Sequence, residues 1–241
     1  MATSLADFAE QINPKTLAEA RRAHFLQATR VHGSFLAVVE KRALVWMAER
    51  MPTWVNSDHL TILGFAAQIA TGVCYALAVH DRRMLLAAIV CLAVNWFGDS
   101  LDGTLARVRQ QQRPRYGFYV DHMIDSVGAV AMMGGLALSG YMHPAIAIGL
   151  LIAFLLLSIQ SYLATYTLGE FHLSFWRFGP TELRILLAIG NLALFRWAWV
   201  IRGHYRLFDI GGAIGLAGMA AMLIFFSLRN TIRLYREERI G

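Results

Sequence analysis

The chain has 241 residues, 57% of them hydrophobic, with a mean hydropathy of +0.47 and a formal net charge of +6. A soluble domain ordinarily carries about 45–50% apolar residues, so this composition argues against a water-soluble globule and for a membrane protein. The basic residues are spread among loops, which argues against a nucleic-acid-binding face and leaves the sequence pI of about 9.7 as a signature of membrane orientation and of attraction to anionic lipid.

Residues 1–33 are polar, basic and Ala-rich, with partial helicity expected and no apolar core of the length a secretory signal needs. Residues 34–51 read as an amphipathic helix, with Phe35, Leu36, Val39, Ala43, Trp46 and Met47 on one face and Glu40, Lys41, Glu49 and Arg50 mostly elsewhere. Such a helix either lies in the membrane interface or packs against its own bundle. Pro52 ends it.

Six apolar stretches of about membrane-spanning length follow, near 59–80, 84–106, 118–140, 143–168, 182–201 and 208–229. The expected fold is therefore all-α: a six-transmembrane-helix bundle preceded by an N-terminal amphipathic interfacial helix. Its parts are a juxtamembrane segment 1–55, a membrane domain 56–232 and a tail 233–241. Asn56-Ser57-Asp58 is a helix start, and Pro180 with Thr181 and Glu182 is another. Phe195, Trp197, Trp199 and Tyr205 resemble an aromatic belt. Cys74 and Cys91 fall inside spans and read as small apolar fillers. No internal repeat is evident.

Seventeen Lys and Arg fall on one side of the six spans and five on the other. The positive-inside rule puts both termini, and the 107–115 loop, in the cytoplasm.

The acids carry the chemistry. Asp99 and Asp102 are three residues apart, and Asp121 and Asp125 four apart, both pairs in apolar surroundings. On helices, each pair faces one side. A nine-residue loop, Val108 to Tyr116, would fold the two helices into a hairpin on which all four carboxylates converge. Ionised carboxylates in a membrane span are costly and mark a functional site. At an effective dielectric of about 20, two unit charges about 4 Å apart repel by roughly 4 kcal/mol, so four together need protons or cations. Hard divalent cations such as Mg²⁺ or Mn²⁺ suit oxygen ligands, and two ions side by side serve phosphoryl transfer. Gly103 and Gly117 leave room for a bulky ligand or for close helix packing. Arg107, one turn beyond Gly103, has donors that fit a diphosphate.

The run Asp99-x-x-Asp102-Gly103-x-x-Ala106-Arg107 … Gly117-x-x-x-Asp121-x-x-x-Asp125 resembles the signature of the CDP-alcohol phosphotransferase family, with all eight positions present. The resemblance implies an integral membrane enzyme of phospholipid biosynthesis. In such enzymes an acceptor alcohol attacks the β-phosphorus of a CDP-linked donor and CMP leaves. It implies two divalent cations held chiefly by Asp99, Asp102 and Asp121, with Asp125 a ligand or the general base. It implies that Gly103, Ala106, Arg107 and Gly117 shape the nucleotide site. It also implies donor and acceptor substrates of which at least one is a lipid, a homodimer, and a multi-pass protein of a bacterial inner membrane with a cytoplasmic active site.

Asp121-His122-x-x-Asp125-Ser126 further resembles the choline and ethanolamine branch, where such a histidine is a candidate base. An unperturbed histidine side chain titrates near 6.5, which suits a base role at this position, and a hydrogen-bonded helix-face histidine is the alternative. The chain departs from the family before span one, where Asp58-His59 precede Leu60-Thr61 in place of Pro-Asn. Arg177 and Arg184 are candidates for a phosphorylated acceptor or for positive-inside anchors, and Gln160, Tyr162 and Tyr166 for polar contacts between helices. A divalent-cation transporter using the four aspartates, or a catalytically dead scaffold, are the competing functions. A cation pathway gains nothing from Arg107 beside its ligands.

Overall fold

The computed structural model describes residues 29–30, 37–168, 170–171, 180–197, 199–200 and 204–238. Among these lie seven helices: α1 (Ala37–Glu49), α2 (Ser57–Leu77), α3 (Met84–Val108), α4 (Pro114–Leu138), α5 (Pro144–Leu168), α6 (Pro180–Arg196) and α7 (Leu207–Glu237). The only strands among the described residues are two-residue pairings, Thr29–Arg30 with Glu170–Phe171 and Trp199–Val200 with Tyr205–Arg206. Most of the segment 1–33, the Phe35–Leu36 start of the first expected helix, and Arg177 lie outside the described residues.

Local sequence accounts for the helix starts. Asn56 caps α2: its side chain accepts from the His59 amide at 3.0 Å, and His59 Nδ1 accepts from the Asn56 amide at 3.3 Å. Proline opens α4, α5 and α6, where its missing N–H leaves nothing unsatisfied. The α3–α4 connection is shorter than the sequence implies. It runs only from Arg109 to Arg113, five residues, because α3 continues to Val108 and α4 already begins at Pro114.

The chain is an integral membrane protein. Helices α2, α3, α5 and α7 are each long and apolar enough to cross a bilayer. Aliphatic side chains such as Ile62, Val90, Ile152, Leu163 and Ile224 face outward from them, as lipid contact requires. Helix α4 carries Asp121 and Asp125 within its 25 residues. Helix α6 has 17 residues, about 26 Å of helix against a hydrocarbon core of about 30 Å.

Helix α2 is the hub. It packs along α3 on one side and α4 on the other, while α3 and α4 make little direct contact; α5 joins α4 to α7, and α3 carries α6 and α1. The larger core sits toward the α2–α3 and α4–α5 turns and includes Tyr75, Leu85, Leu92, Leu136, Leu150 and Leu194. A smaller one at the opposite end joins Leu44 and Ala48 of α1 to Leu60, Leu101 and Leu105.

Glycine makes the two crossings on α2 possible. A Cβ at Gly98 would stand 2.6 Å from the Gly64 amide nitrogen and the Leu60 carbonyl, and one at Gly135 would overlap the Gly72 carbonyl. Backbone meets backbone at both points, as small residues allow between membrane helices.

Helix α1 turns differently from the sequence pattern. Leu44 and Ala48 face the bundle, whereas Val39, Ala43 and Trp46 point away from it. Glu40, expected on the polar face, lies in line with Leu44 and Ala48. The cause is tertiary: the narrow Leu44–Ala48 stripe fits the α2–α3 surface, and the bulkier apolar residues are left outside.

Candidate active site

Helix α3 supplies Asp99 and Asp102, and α4 supplies Asp121 and Asp125. One carboxylate oxygen from each of Asp99, Asp121 and Asp125 lies within 4.8 Å of the others. Asp102 is not one of that trio, although it lines the same cleft as Asp99 and Asp125. The hairpin is splayed across α2, and the Asp102 carboxylate turns toward α2, where the Thr61 hydroxyl donates to Oδ2 at 2.6 Å. Ser57 on the same helix donates to the Asp102 carbonyl at 3.0 Å. Asp102 remains within electrostatic range of Asp99 and Asp121. Asp99, Asp102 and Asp125 line one cleft with Thr61, Gly64, Phe65, Gln68, Asn95 and Ile124.

A cation on α6 faces this cluster. Arg184 donates from Nη2 to Asp99 Oδ2 at 2.6 Å and from Nε to Asn95 Oδ1 at 2.8 Å. Asn95 in turn donates to the Gly64 carbonyl at 2.9 Å, so α2, α3 and α6 meet in one polar network. Arg184 was one of the two candidate phosphate contacts, and it stands at the acids.

The two glycines of the motif do not sit at helix crossings among the described residues. Among the described residues, a Cβ at Gly103 would meet only Arg107 Nη1, at 3.5 Å, and one at Gly117 would meet nothing within 4 Å. The exposed Arg107 donates from Nη2 to Thr104 at 3.0 Å. Ala106 lines a second cavity, of about 240 Å³, together with Asn56, Ser57, Asp58, Leu105, Gln111 and Arg113. Arg113 pairs with Asp58 at its edge. Arg109 closes the α1–α2 turn by donating to the carbonyls of Met51, Pro52 and Val55.

His122 is packed between rings, its centroid 4.2 Å from that of Phe118 and 5.0 Å from that of Tyr162. Its Nδ1 lies 3.5 Å from Asp121 Oδ2, and its side chain is 13% exposed, against 43% for Asp121. The histidine is thus held beside the acids on their more enclosed flank.

The profile of the CDP-alcohol phosphatidyltransferase family matches residues 54–230. The chain belongs to that family. No curated protein matches the chain. Membership makes it a transferase of phospholipid biosynthesis that works by alcohol phosphotransfer from a CDP-alcohol, with a CDP-linked donor and an alcohol acceptor as substrates. The family uses divalent metals. The donor set here fits one: oxygens bound to a single ion at 2.0–2.6 Å stand no farther than about 5 Å apart, and the Asp99, Asp121 and Asp125 oxygens satisfy that limit.

Thr61, Asn95 and Gln68 line the acid cleft and have no place in the motif. Each is a polar side chain inside an apolar span. Asn95 also lies one turn before Asp99, a spacing that puts the two on one face. That combination was the signal available.

Proposed function

We propose that this protein transfers a substituted phosphate group from CDP-diacylglycerol or a CDP-amino alcohol to an acceptor alcohol, releasing CMP at the cytoplasmic face of a bacterial inner membrane. In this reading all six helices α2 to α7 belong to the membrane domain of residues 56–232, with α1 at the interface. The observation that carries it is the meeting of the Asp99, Asp121 and Asp125 carboxylates beside open space at Gly103 and Gly117.

Two divalent cations, Mg²⁺ or Mn²⁺, would be held by Asp99, Asp102, Asp121 and Asp125, and when bound they would neutralise the diphosphate and the charge that develops on it. The chain's own groups do the rest. Arg107 binds the diphosphate, and the clearance at Gly103 and Gly117 lets it approach the backbone. The cavity at Ala106 takes the nucleoside, with Asn56 and Gln111 as polar contacts. Thr61 orients Asp102. Asp125 takes the proton of the acceptor hydroxyl as it attacks the β-phosphorus, and the P–O bond to CMP breaks. The Phe118–Tyr162 pair holds His122 against Asp121, which supports an orienting role for the imidazole.

The test is a donor and acceptor screen with purified protein, Mg²⁺ and mass spectrometry of the lipid product. CMP and a new phospholipid are expected together. Divalent-ion uptake into proteoliposomes with no CMP from any donor would replace phosphotransfer by transport.

A further inference from the structure

Glu40 lies outside the stretch that matches the family, on the face of α1 turned toward the bundle. Leu44 and Ala48, one and two turns on, share that face and are buried. The Glu40 Oε1 accepts the Trp96 indole N–H at 2.7 Å and the Thr181 hydroxyl at 2.7 Å, and lies 3.5 Å from Ser100 Oγ. Trp96 and Ser100 flank Asp99 on α3. Thr181 precedes Arg184 by one turn on α6. A single carboxylate oxygen therefore ties α6 to α3 beside the point where Arg184 meets Asp99. Both bonds are short, and they brace α1, α3 and α6 beside the Arg184–Asp99 and Arg184–Asn95 contacts that also join α6 to α3.

We propose that Glu40 is a positioning residue for phosphotransfer: it clasps α6 to α3 and sets the register of Arg184 against Asp99 and Asn95. It touches no substrate and acts through Arg184. The clasp requires an acceptor oxygen at this place, which glutamine also supplies. Its catalytic consequence rests on the phosphotransfer reading, while the clasp itself is read without substrate.

The test uses the full chain in lipid nanodiscs. Glu40→Ala should lower kcat for CMP release about tenfold to a hundredfold, the range expected when a charged group is displaced by an ångström. The KM for the CDP donor should hold. Glu40→Gln should return kcat to within about threefold of wild type, because its amide oxygen accepts the same two bonds. In thermal unfolding, Glu40→Ala combined with Trp96→Phe should lose less Tm than the two single losses together. Wild-type kcat in Glu40→Ala, an equal loss in Glu40→Gln, or additive Tm losses would each overturn the clasp. Thr181→Val removes one bond from the α6 side and decides the matter if Glu40→Ala does not fold: a fall in kcat at constant donor KM supports the clasp, and an unchanged kcat overturns it. If wild-type protein releases no CMP from any donor, phosphotransfer falls, and the Tm cycle still decides the clasp.

Discussion

Arg184 Nη2 lies 2.6 Å from Asp99 Oδ2, across 85 residues of sequence. Both side chains are largely shielded, at 14% and 24% exposure, so solvent screens the pair only in part. The guanidinium occupies one edge of the cluster that suits a divalent cation. A metal ion and Arg184 therefore compete for Asp99, or share it.

Arg184→Ala is expected to tighten Mn²⁺ binding by roughly tenfold, about 1.4 kcal/mol, because a competing cation is gone. It should lower CMP release at the same time. Electron paramagnetic resonance of free Mn²⁺ during titration measures the first effect; unchanged or weaker binding would show that the ion pair does not oppose the metal.

Asp125→Asn should reduce CMP release by about 10²–10⁴-fold, the usual contribution of a general base, with the protein still folded by circular dichroism. His122→Gln should cost less, since its ring stands beside Asp121 between Phe118 and Tyr162. Single-turnover kinetics compare the two. A larger loss at His122 would move the base assignment there.

The glycines should separate into two classes. Gly98→Ala puts a methyl against the Gly64 backbone, which cannot yield as a flexible side chain would. A loss of about 1–3 kcal/mol is expected, in the range for overpacking. Gly117→Ala meets open space and should keep the wild-type Tm while weakening CDP binding. Thermal unfolding and calorimetric CDP titration read the two effects, and a lowered Tm in Gly117→Ala would return that glycine to a packing role.

Arg107→Ala should weaken CDP binding about tenfold or more, consistent with one charge-assisted contact. The guanidinium is exposed and donates to Thr104. An unchanged CDP affinity would refute its place at the diphosphate.

Much of the site is legible along the chain. The acid spacings, the two open glycines and Arg107 follow from helical period and from residue types that apolar spans ordinarily avoid. The helix starts at Asn56 and Pro180 are likewise local, because capping involves neighbours in sequence. The α3–α4 loop was less legible, since the expected loop ran on to Tyr116 while the helix already begins at Pro114, three residues before Gly117. The face of α1 was not legible either. Two apolar stripes compete on that helix, and only the shape of the α2–α3 surface selects the one with Leu44 and Ala48.

By itself the sequence determined that this is an all-helical membrane chain bearing the phosphotransferase motif, because composition and local spacing are properties of the chain before it folds. The tertiary structure decided how the acids divide. Two backbone-to-backbone crossings at Gly64–Gly98 and Gly72–Gly135 wedge α2 between the aspartate helices, so Asp102 turns to Thr61 while the other three meet. It also decided the partners of that trio. Arg184 reaches Asp99 across 85 residues, and Thr181 reaches Glu40 across 141, separations over which no helical period carries information.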